Sequence, residues 1–66
     1  MYYYLIKYTD LAGAKGFVHY KDSERVMCFS CFVAAGKALS KLKGFTPDGD
    51  PIRFASVVPM DVSKFL

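Results

Sequence analysis

Two cysteines three residues apart, Cys28-Phe29-Ser30-Cys31, are the side chains in this sequence best suited to chemistry. That spacing serves thiol–disulfide exchange when one thiol is exposed and stabilised as thiolate at a helix start. It serves zinc when further ligands complete a tetrahedral set. The zinc reading fails on arithmetic, because a structural site takes four ligands and the chain adds only His19 to these two thiols. The redox reading depends on where the cysteines sit, and helical periodicity from Asp22 to Lys43 puts both on an apolar stripe beside Met27 and Phe32. Cysteine on such a stripe behaves as a small hydrophobe, so packing is the expected role, with neither metal nor cofactor.

The remaining polar groups assemble no catalytic set. His19, the single histidine, would need a nucleophile or carboxylate in a pocket that a sheet of this size scarcely encloses; an exposed or hydrogen-bonded strand histidine is expected. Asp10, Asp22, Glu24, Asp48, Asp50 and Asp61 sit mainly at turn signals and the helix start, where local backbone hydrogen bonding accounts for them. Gly36-Lys37-Ala38 is the nearest approach to a phosphate loop, but Cys31 stands where the upstream glycine belongs and Ala38 where the metal-binding hydroxyl belongs. The chain is therefore not expected to be an enzyme.

The elements that must position these residues follow from pattern. Tyr2 to Thr9 is a run of aromatic and branched side chains that suits a strand, with Tyr2, Tyr4, Ile6 and Tyr8 on the core side and Tyr3, Leu5, Lys7 and Thr9 opposite. Asp10 to Gly16 suits a hairpin connection, and Phe17 to Tyr20 a second strand whose buried face four residues do not decide. Asp22-Ser23-Glu24 reads as a helix cap, and Met27, Cys28, Cys31, Phe32, Ala35, Ala38, Leu39 and Leu42 form one stripe ending at Gly44. Val26, Phe29 and Val33 do not fit that stripe. In a competing parse Arg25 to Phe29 is a further strand and Ser30 caps a shorter helix running to Lys43. Thr46 to Pro51 is turn chemistry, Ile52 to Val58 a third strand ended by Pro59, and Met60 to Leu66 a mixed tail.

A chain of 66 residues forms one domain near the lower limit for an unaided core, and 53% apolar residues make such a core feasible. The expected architecture is α+β: a three-stranded antiparallel sheet in the order 2-1-3, with one long helix on one face. The other face, carrying Tyr3 and Lys7 with His19 and Arg53, is the expected partner-binding surface, aromatic and basic. Two cysteines make no disulfide framework, the start Met1 to Lys7 has no signal-peptide pattern and no apolar run reaches membrane-spanning length, so a reducing cytoplasm is expected.

Size, the lack of a catalytic group and the order β, β, α, β together resemble the small phage-encoded inhibitors of host machinery, among them RNA polymerase inhibitors and some anti-CRISPR proteins. The resemblance is one of topology over the whole chain; it carries no motif and no functional residues, and the net charge of +3 departs from acidic members of that group. It implies a protein that occludes a surface on a larger partner. Two function classes follow: a non-enzymatic protein-binding module, whose strand edge could also pair with a second copy, or a small basic nucleic-acid-binding protein that stacks bases on the same face.

Overall fold

The computed structural model describes residues 2–61 and 63. Three strands and one helix follow in the order β1 (Tyr2–Asp10), β2 (Lys15–Phe17), α1 (Phe32–Leu42) and β3 (Ile52–Asp61). The sheet is antiparallel with β1 in the centre, in the order β2-β1-β3, as expected. β1 and β3 run in register from Tyr2 opposite Asp61 to Thr9 opposite Phe54, then slip between Thr9 and Asp10 so that Asp10 meets Ile52. The β1–β2 turn is tied by Asp10, whose Oδ1 accepts the N–H groups of Ala12 and Ala14, each at 2.9 Å. Pro59 does not end β3, which runs on to Asp61. A proline is tolerated there because β3 is an edge strand and the missing N–H leaves no ladder bond unmade on its free side.

The helix is shorter than its periodicity suggested. It starts at Phe32, not Asp22, and its N-cap is Cys31. Asp22 adopts a left-handed conformation, φ 55°, in a turn where Ser23 N–H donates to Tyr20 at 3.1 Å. The chain then returns extended: Met27 N–H donates to Val18 and Tyr20 N–H to Arg25, both at 2.9 Å, and His19 bridges Val26. Phe29 then joins the edge of β1 by exchanging two backbone bonds with Tyr4, of 2.7 and 2.9 Å. This is close to the competing parse, and Val26 and Phe29, the residues that fitted no helical stripe, mark it. An available sheet edge and β-favouring side chains outweigh a helical pattern that was sound only from Phe32 onward.

Within α1 the stripe holds from Ala35 onward, with Ala35 buried, Ala38, Leu39 and Leu42 half-buried, and Lys37, Ser40 and Lys41 exposed, whereas Phe32, its first member in the helix, stands 58% exposed. Lys43 and Gly44 both take positive φ, 52° and 87°, and turn the chain out of the helix. Eleven residues rise about 17 Å, so α1 covers roughly half the length of β1. The core lies between them. Ile6 and Val18 are fully buried there, joined by Ala35, while Leu5 is also buried but alternates to the other side of β1. The ring of Tyr4 meets that of Phe32 edge-on at 5.7 Å, which places the Tyr4–Ile6–Tyr8 side of β1 under the helix. The burial of Val18 settles the face of the second strand, whose regular part is Lys15–Phe17 and not Phe17 to Tyr20. Gly16, opposite Tyr8, lets that ring cross the strand; a Cβ there would lie 3.3 Å from the Tyr8 hydroxyl. No helix among the described residues is long and apolar enough to cross a membrane.

Candidate functional site

The sheet face away from α1 is built by strand alternation. From β1 it takes Tyr3, Leu5, Lys7 and Thr9, and pairing brings Phe54, Ser56, Val58 and Met60 of β3 to the same side. β2 adds Phe17 opposite Lys7 and Lys15 opposite Thr9. Lys7, Lys15 and Ser56 are exposed and Phe54 stands 62% exposed, whereas Leu5 and Thr9 are buried between their neighbours. The face is thus an ammonium at Lys7 flanked by aromatic groups, Phe17 on one side and Phe54 one pair further along β3.

Of the four residues expected to make contacts, the fold brings two together. Tyr3, half-buried, and Lys7 share this face. Arg53 stands at the register shift and lines a cleft with Leu39, Leu42, Ile52, Phe54 and Ala55, of about 170 Å³. His19 lies beyond β2 in a polar hollow with Tyr8, Thr46, Asp48 and Asp50, of about 80 Å³. Both volumes fall below those that enclose a metabolite-sized ligand, so neither hollow serves as a substrate pocket. Phe54 and Phe17 are not among the contact residues expected from sequence, because which side of β3 and β2 they take depends on register. The turn residues that set it leave the phase of a short strand open.

The free edge of β3 borders this face. Tyr4 and Ile6 direct their backbone groups toward Phe29 and Val18, so the odd-numbered residues of β1 serve β3 and bond its even-numbered residues. The N–H and C=O groups of Ala55 and Val57 therefore point outward, and no backbone bond from them to another described residue is made on that side. This row is a template for a further strand.

The cysteines are not packing. Both are exposed, because the residues around Cys28 are extended sheet edge and Cys31 marks the open end of the helix. Cys31 has extended backbone, φ −132° and ψ 130°, as an N-cap does, and its sulfur makes no closed capping hydrogen bond. The nearby backbone N–H groups of Ala34 and Val33 and, with less effect, the charge of Lys37 hold the thiol below its ordinary range. No cluster of three or more potential metal ligands occurs among the described residues. Comparison with protein-family models, with curated proteins and with solved structures finds no match.

Proposed function

We propose that the chain is a non-enzymatic protein-binding module that captures an extended segment of a larger protein along the edge of β3 and occludes the surface from which that segment comes. One observation carries this reading: the outward backbone groups of Ala55 and Val57 stand unpaired beside the exposed ring of Phe54. Main-chain bonds would supply affinity, and alternate side chains of the added strand would meet the Phe54 and Ser56 side and the Ala55 and Val57 side of β3. The register shift with the Ile52–Gly44 bond at one end and Pro59 at the other confine the usable window to residues 55–57. Nucleic-acid binding finds less support, because the basic groups are divided between Lys7 and Lys15 on the sheet face away from α1 and Lys37 and Lys41 on α1 itself.

Selection from a displayed library of extended peptides tests the reading. Ligands are expected whose binding is lost in Ala55→Pro, which removes one outward N–H, while circular dichroism of the variant stays unchanged. Retention of peptide binding in a folded Ala55→Pro would sink it. Concentration-dependent dimerisation abolished by the same change would identify a second copy as the added strand. Binding to single-stranded nucleic acid that falls steeply with salt would move the function to the second class.

A further inference from the structure

A single residue holds both cysteines in place. Phe29, which follows Cys28, exchanges two backbone hydrogen bonds with Tyr4, and Phe32, which follows Cys31, sets its ring against the Tyr4 ring at 5.7 Å. Each thiol is therefore one position upstream of a residue anchored on Tyr4, and the chain bends at Ser30 and Cys31 between the anchors. Both thiols are open to solvent.

We propose that Cys28 and Cys31 form a redox site, a dithiol that closes reversibly into an intramolecular disulfide by exchange with a low-molecular-weight disulfide of the glutathione type. Cys31 is the attacking sulfur because it stands exposed at the N-cap position of α1, where the helix start favours a thiolate; Cys28 is the resolving sulfur. In the first step the Cys31 thiolate attacks one sulfur of the small disulfide. The S–S bond breaks, a mixed disulfide forms on Cys31, and the departing thiolate takes a proton from water. Cys28 then gives its proton to solvent and attacks the Cys31 sulfur, releasing the second small thiol. The protein loses two electrons and two protons overall, and one small disulfide becomes two thiols. The residues differ from those of the β3 edge, so failure of either proposal leaves the other standing.

The test uses the full chain in glutathione redox buffer, quenched with acid, alkylated and weighed. The expected product is a monomer lighter by two hydrogens, restored by excess reduced glutathione. Cys28→Ser should stop at one glutathione adduct, on Cys31, and Cys31→Ser should react about tenfold more slowly, as expected when the activated thiol is removed. Two results would overturn the proposal: wild type that ends with a glutathione on each cysteine and no internal bridge, or a folded Cys31→Ser that reacts as fast as Cys28→Ser.

Discussion

At the scale of single residues, Cys31 shows how one backbone boundary decides the chemistry of a side chain. The Cys-x-x-Cys spacing was plain in the sequence, but its meaning turned on where the helix begins. A start at Asp22 buries the thiols, whereas the start at Phe32 exposes them and turns one into a cap. The Ala34 and Val33 N–H groups lower the Cys31 thiol in the folded chain only, so the folded state favours thiolate. Any stability this gives is present above the unfolded thiol's pKa and is lost as pH falls through the folded one. In Cys28→Ser, the pH profile of Cys31 alkylation should therefore have its midpoint below that of the same protein in denaturant; coincident midpoints would refute the assignment. Asp61 is held low in the same sense by the Ser63 hydroxyl, which donates at 2.7 Å, and by the Ser63 N–H at 3.0 Å. Ser63→Ala should raise the Asp61 titration midpoint seen by NMR.

At the scale of elements, β1 and the apolar stripe from Ala35 to Leu42 were legible because their patterns are long enough to be periodic. Residues 25–29 were not, because their extended form depends on the edge that Tyr4 offers, and Tyr4 lies far away in sequence. The order 2-1-3 followed from connection rules alone, whereas the phase of β3, which sends Phe54 and Ser56 to one face and Ala55 and Val57 to the other, did not. The end of α1 rests on conformation more than contact: Gly44 has φ 87°, and a Cβ there would meet no atom within 4 Å. Gly44→Ala should cost about 1 kcal/mol through backbone strain, measured by urea denaturation. An unchanged midpoint would mean that the turn relaxes freely.

At the scale of the whole molecule, the core is small. Leu5, Ile6, Val18 and Ala35 are its buried apolar side chains among the described residues, on a chain whose expected total stability is only about 3–10 kcal/mol. Ile6→Ala should remove about 2–5 kcal/mol, a large share of that total, and so lower the melting temperature steeply or unfold the chain at room temperature. A shift of only a few degrees would show that Ile6 is not central to the core. The register shift at one end of the free β3 edge and Pro59 at the other bear on the selectivity of the proposed capture. Backbone pairing repeats every two residues, so a captured segment can slide along the window only in steps of two, and a slip of one would exchange the faces of all its side chains. An edge that captured such segments would therefore discriminate by phase, favouring those whose alternation of apolar and polar residues matches Phe54 and Ser56 on one face of β3 and Ala55 and Val57 on the other, whatever protein carried them.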